Sequence, residues 1–260
     1  MNAAAAISRH PLFRGLLPVA LLLALWEVAV VRGWVGTDVL VSFGTLYETA
    51  TTPEVRSSFG SGLTASGVRL VEGASFGIAG GLLFGIGLGV SRWSDRLFGP
   101  SFHAFRQVAV FAWIPLLTAW FGNGDLSKIV FVALASFGPV AMGAFEGVKS
   151  VPQSYLEVGR VLCFSRRRQL WRIVLPAAAP AIFTGLQLSL IFSWFATIGA
   201  EYLIGGMTQG IGTLVMQGRE QMRPDLVLLG ILLIALIGIG MNTLLRLASR
   251  SLFKWRGLPS

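Results

Sequence analysis

Ser150–Pro176 reads SVPQSYLEVGRVLCFSRRRQLWRIVLP, a polar stretch between two long apolar runs. The flanking runs are membrane-span material, so the stretch is a loop between spans, yet its pattern is that of folded structure. Ser154 and Glu157 stand at the S-x-x-E spacing of a capping box just after Pro152, which predicts a helix starting there. Leu156, Gly159, Leu162 and Cys163 then share one face, with Glu157 and Arg160 off it. A second periodic segment, Leu170, Ile173 and Val174, follows the basic run Arg166-Arg167-Arg168 and stops at Leu175-Pro176. Two short helices joined by a turn, held at a membrane surface and too small for a domain, suit a docking element for another protein.

Composition supports the membrane setting. Of 260 residues, 54% are hydrophobic and 13% charged, with a mean hydropathy of +0.70; a soluble globular domain is excluded. The net charge of +9 would suit nucleic acid, but here the basic residues punctuate apolar runs, and a bilayer protein with no nucleic-acid partner explains that better. The single cysteine allows neither an intrachain disulfide nor a cysteine-based metal site. No G-x-x-x-x-G-K-[ST] string occurs, so any ATP chemistry belongs to another polypeptide.

The apolar runs predict an all-α fold with six transmembrane helices and a cytoplasmic coupling helix. The spans are Leu16–Val31, Gly67–Val90, Phe102–Phe121, Ile129–Val148, Ala177–Ala200 and Leu226–Leu247. The first is read as retained, since no small-residue cleavage site follows it. Arg32 to about Ser66 is expected as an external loop with one surface helix, Ser91–Gly99 as a short basic turn and Glu201–Pro224 as a second external loop. Organisation follows as a tail, first span and loop over 1–61, a transmembrane domain over 62–248 and a basic tail over 249–260. Six spans put both termini on one side. Only Arg32, Arg56, Arg69, Lys128, Arg219 and Arg223 fall opposite, leaving 15 of the 21 lysines and arginines with the termini. The positive-inside rule then makes the termini and the Ser150–Pro176 loop cytoplasmic.

Within the spans, Gly73, Gly77, Gly81, Gly85 and Gly89 recur at every fourth position, a ladder that lets another helix approach closely. Intramembrane charge is costly and draws functional suspicion, most of all at Glu27 and Glu72. Arg69 and Glu72, three apart on one helix, are expected to pair, and Glu146 and Glu201 to be solvated near the membrane edges. Gln187, Ser193, Trp194 and Thr197 on the fifth span are the candidates for a translocation pathway, with Ser189 beside them. Gly73-Ala74-Ser75-Phe76-Gly77 matches the G-x-S-x-G string of serine hydrolases, but that chemistry needs a strand–turn–helix and a histidine. The only histidines are His10 and His103. An ion-coupled carrier is the other alternative; the paired broken spans of such carriers are not evident.

The central loop also carries a resemblance. Glu157, Val158 and Gly159, followed by Leu175-Pro176, resemble the EAA loop of binding-protein-dependent ABC importer permeases; at Cys163, where that family has Gly, the chain departs from it. The likeness extends from about Gly62 to Arg256. Ile114–Ile129 and Gly210–Leu228 are similar to the branch importing aliphatic sulfonates, taurine and nitrate. The resemblance implies a bacterial inner-membrane permease that dimerises with a second copy and carries two cytoplasmic ATPase subunits, which bind ATP and Mg. It receives a small anion from a periplasmic or lipid-anchored solute-binding protein. The coupling loop would comprise Ser154, Glu157, Val158, Gly159, Arg160, Cys163, Phe164 and Arg167, with membrane lipid as a second contact for Arg166–Arg168.

Overall fold

The computed structural model describes residues 11–36, 39–206 and 208–252. The predicted tail up to residue 10 and most of the basic tail at 249–260 lie outside the described residues. Every regular element among those described is helical: α1 (Pro11–Val31), α2 (Phe43–Thr51), α3 (Pro53–Val90), α4 (Arg92–Phe105), a 3-10 turn (Val110–Trp113), α5 (Ile114–Phe121), α6 (Asp125–Lys149), α7 (Gln153–Val161), α8 (Arg166–Gln169), a π segment (Leu170–Val174), α9 (Leu175–Leu203), α10 (Ile211–Glu220) and α11 (Pro224–Leu252).

Four helices are long and apolar enough to cross a bilayer, α3, α6, the continuous run Arg166–Leu203 and α11; α4 and Val110–Phe121 form a bent pair, and Leu17–Val31 is a shorter apolar helix. Six crossings therefore require that both the bent pair and α1 cross. The runs predicted at 129–148, 177–200 and 226–247 lie inside α6, α9 and α11. Three expectations are corrected. The segment from Arg32 to Ser66 holds more helix than the one surface helix expected, α2 and the first part of α3; Ser57 and Ser58 donate back to the Glu54 carbonyl and Thr64 to that of Ser61, which leaves the polar sequence compatible with a helix. The expected turn at Ser91–Gly99 is the start of α4, capped by Ser91 Oγ accepting from Ser94 N. The third span is not one helix: the chain bends by 91° between α4 and Val110. Pro115 cannot donate to a preceding turn, and the helix restarts around it, with the proline in the first turn of α5.

The chain clusters into two bodies, Met1–Ser58 with Leu214–Leu232, and Phe59–Thr213 with Leu233–Ser260. In the first, Glu27 accepts a hydrogen bond from Phe43 N at 3.0 Å, so its carboxylate serves an orphan donor at the start of α2. Asp225 accepts from Thr49 Oγ1 (3.0 Å) and pairs with Arg223 (2.7 Å).

In the second body α6 is central. The ladder faces it throughout: a Cβ at Gly73 would stand 2.6 Å from Val132 Cβ, one at Gly89 2.6 Å from Val148 Cβ, and those at Gly77, Gly81 and Gly85 would collide with Ser136, Val140 and the Ala141 carbonyl. On its other side α6 meets α9 through Gly143 against Gly185 and Gly147 against Ala178 and Ala181. Backbones this close maximise dispersion where the hydrophobic effect is weak.

At the Asp125 end of this body a buried charge cluster joins the helices. Arg69 pairs with Glu201 through Nη1 and with Asp125 through Nε, each at 2.6 Å, and donates from Nη2 to the Gln209 carbonyl at 2.5 Å. Ser66 donates to Glu201 (2.7 Å) and accepts from Ile211 N; Gly212 N donates to Glu201 at 2.9 Å. Buried Lys128 donates to Thr208. Arg69 therefore does not pair with Glu72, which is exposed on α3, and Glu201 is buried rather than solvated.

Candidate functional site: a surface elbow and an apolar cavity

At the opposite end of α6, α7 and α8 make the elbow. Helix α7 begins two residues earlier than the capping box predicts, with Pro152 rather than Ser154 at the N-cap and no side-chain cap bond. The proline's φ of −58° and ψ of 139° supply the extended entry. Ser154 consequently lies inside the helix, and the capping box does not form. The predicted apolar face is half covered: Leu156 is half-buried and Gly159 buried, whereas Leu162 and Cys163 are exposed, because α7 has ended.

The ending is a Schellman motif. Phe164 N donates to Gly159 O and Cys163 N to Arg160 O, both at 2.9 Å, with Cys163 left-handed at φ 52°. That is the residue a glycine would suit best, and the chain makes the turn with a Cβ in place. Gln169 Nε2 donates to Leu156 O at 2.9 Å, and a Cβ on Gly159 would lie 2.7 Å from Ile173 Cδ1. Leu156 and Val174 pack on Val148, Val151 and Ala178, which fixes the elbow to α6 and α9.

The outward surface is mixed. Tyr155, Val158 and Leu162 expose an apolar stripe at i, i+3 and i+7, beside fully outward Val161 at 81%. Glu157, Arg160 and Arg166–Arg168 are exposed. Phe164 is half-buried beneath the Arg168 guanidinium, 5.7 Å from its ring centroid. Exposed apolar side chains rimmed by charge mark a surface that meets another molecule.

Between the bent segment, α6 and α9 lies a cavity of about 690 Å³. Phe105, Phe111, Trp113, Phe192 and Phe195 supply rings to its wall, and Arg106, Gln107, Glu146 and Thr184 its polar side chains. The unwound stretch after Phe105 brings Arg106 and Gln107 to it, and Phe111 packs so closely on α9 that a Cβ at Gly199 would lie 2.8 Å from its ring. None of the four residues expected to line a pathway borders this cavity. Ser193 donates to Ser189 O (2.8 Å) and Thr197 to Ser193 O (2.9 Å), both within their own helix. Trp194 Nε1 donates to Ile234 O at 3.3 Å and Gln187 Nε2 to Leu245 O at 3.2 Å, across to α11. The cavity's own residues escaped the sequence because nothing in the apolar run Phe102–Phe121 signals a break except Pro115. Ser75 sits mid-way along unbroken α3, without the strand–turn–helix a nucleophile elbow needs.

Residues 77–254 match the family described as the binding-protein-dependent transport system inner membrane component. The putative aliphatic sulfonates transport permease protein of Bacillus subtilis is 34% identical over 95% of this chain and 89% of its own length. The taurine transport system permease protein of Escherichia coli is 37% identical over 75% and 70%, and the nitrate import permease protein of Leptolyngbya laminosa 33% over 70% and 64%. A chain from an inward-facing structure of the MetNI methionine ABC transporter superposes with a TM-score of 0.61, covering 75% of this chain and 98% of that one at 17% identity. That likeness concerns the fold.

Proposed function

Because this chain belongs to the family of binding-protein-dependent transport system inner membrane components, and is thus a multi-pass ABC importer permease rather than an enzyme, we propose that the Gln153–Val174 elbow is where a cytoplasmic ATPase subunit holds it. Two copies of the chain, each carrying one such subunit with ATP and Mg, would form the pathway. A periplasmic or lipid-anchored solute-binding protein delivers the solute, a small anion of the sulfonate, taurine or nitrate type that these relatives are named for. Both termini and the elbow are cytoplasmic in this reading, as the lysine and arginine distribution supports.

The observation that carries it is the exposed stripe of Tyr155, Val158 and Leu162 flanked by Glu157 and Arg160, on a helix whose inner face is anchored to both α6 and α9. Nucleotide-driven closure of the ATPases would pull the two elbows together and turn the attached helices as rigid units. In proteoliposomes holding the full importer, Glu157→Arg is expected to lower ATP-dependent uptake about tenfold, through like-charge conflict at the docking surface, while the permease still inserts. Wild-type uptake by this variant removes the docking role.

A further inference from the structure

The cavity beside the bent span carries two free charges of opposite sign, and we propose that it is a binding station for a zwitterionic solute. Arg106 receives the acidic head group, Glu146 an ammonium group, and the aromatic wall the short carbon chain between them. This rests on the permease reading above and, among the solutes named there, selects the amino-sulfonate over the plain sulfonate and nitrate, and assigns the residues that would hold its two charges.

Three observations carry it. First, the side chains of Arg106 and Glu146 make no hydrogen bond or ion pair among the described residues. For Glu146 this is unexpected, since Lys149 is its i+3 neighbour on α6 and the natural partner. Lys149 is drawn away instead, to Asp95 at 2.7 Å and to the Phe145 ring at 4.4 Å from its centroid. Second, the rest of the wall offers a solute little else polar: Gln107, and Thr184, whose hydroxyl already donates to Pro180 O at 3.1 Å. An apolar pocket with a few convergent polar groups is the usual form of a small-molecule site. Third, the character of the wall and charge both disfavour an inorganic oxyanion. The aromatic rings offer contact to a carbon chain that such an ion lacks. The Glu146 carboxylate would also repel an anion that Arg106 attracts, whereas a solute bearing both charges satisfies both groups. Two water-accessible charges hold a ligand loosely enough to let it leave, as a transport pathway requires.

The test uses the whole permease–ATPase complex in detergent without nucleotide, titrated with 2-aminoethanesulfonate, ethanesulfonate and nitrate and read by saturation-transfer NMR. The wild type should bind 2-aminoethanesulfonate saturably and about tenfold more tightly than ethanesulfonate, the loss expected for one charge-assisted contact. Glu146→Gln should erase that difference while keeping ethanesulfonate binding, and Arg106→Gln should abolish binding of both. Equal affinity for the two sulfonates, binding indifferent to either substitution, equal competition by nitrate, or no saturable binding would each overturn the proposal. ATP-dependent uptake by the same complex with its solute-binding protein is measured in parallel: its absence would fail the permease-docking reading, whatever the NMR result.

Discussion

The two ends of α6 are held by opposite chemistry. At the Asp125 end, Arg69 and Glu201, 5% and 3% exposed, lock α3, α6 and α9 together and tie down the chain at Gln209 and Gly212. At the Lys149 end, the elbow is fixed by a small apolar cluster and one strained turn, and among the described residues its charges face outward without an ion pair, Arg168 alone lying over the Phe164 ring. A buried ion pair is a poor source of net stability but a strong constraint on geometry, because losing either partner strands the other. Outward charge and exposed apolar groups constrain nothing until a second protein covers them. In the proposed function the first end stays fixed and the second is gripped, and the glycine ladder of α3 against α6 runs from one to the other as a stiff connection.

Breaking the locked end should have the largest effect. Arg69→Leu leaves Glu201 buried without its cation and is expected to cost about 3–5 kcal/mol, read as thermal unfolding of the purified protein in detergent. The double variant Arg69→Leu with Glu201→Leu should recover a substantial part of that loss. If the single variant unfolds like the wild type, the cluster does not hold that end.

The connection itself comes next. Gly81→Leu drives a side chain into Val140 and the Phe137 backbone and should cost about 3 kcal/mol, at the upper end for overpacking. Unchanged thermal stability would refute the ladder as a packing device. At the gripped end, Gly159→Leu collides with Ile173 and Gln169 and should cost only about 1–2 kcal/mol, because the elbow can move outward. Its larger expected consequence is loss of ATP-dependent uptake with little change in unfolding temperature. The reverse pattern would mean that the elbow belongs to the core.

The smallest effect is a gain. Cys163→Gly relieves a left-handed residue of its Cβ and should stabilise the elbow turn by about 1 kcal/mol, seen as slower hydrogen exchange at Phe164 and Cys163 N–H. Faster exchange would mean that the turn carries no strain.

The sequence made the gripped end legible and the locked end illegible, for a physical reason. The elbow is local: its helix, its turn residue and its Leu175-Pro176 exit lie within 27 consecutive residues, counted from Ser150 to Pro176, and the glycine ladder announces itself by period alone. The ladder's partner was not readable, since period says that a helix approaches but not which one. In the locked cluster Arg69 meets Glu201 across a separation of 132 residues. Judged along the chain, Arg69 therefore found a false partner in Glu72 and Glu201 looked like an edge residue. The hydroxyls of Ser193 and Thr197 bond to carbonyls of their own helix, which residue type alone does not reveal. The bend near Arg106 was hidden because hydropathy is blind to a change of direction within an apolar run.

Cys163 is the only cysteine in the chain and stands exposed at the tip of the elbow, so the wild-type protein carries its own probe. A maleimide–benzophenone reagent attached there and photolysed in native membranes is predicted to capture the ATPase subunit, with ATP analogues changing the yield. Full maleimide labelling of Cys163 with no ATPase captured, in membranes where the assembled importer is active, would contradict the central claim that this elbow is the handle on which the motor pulls.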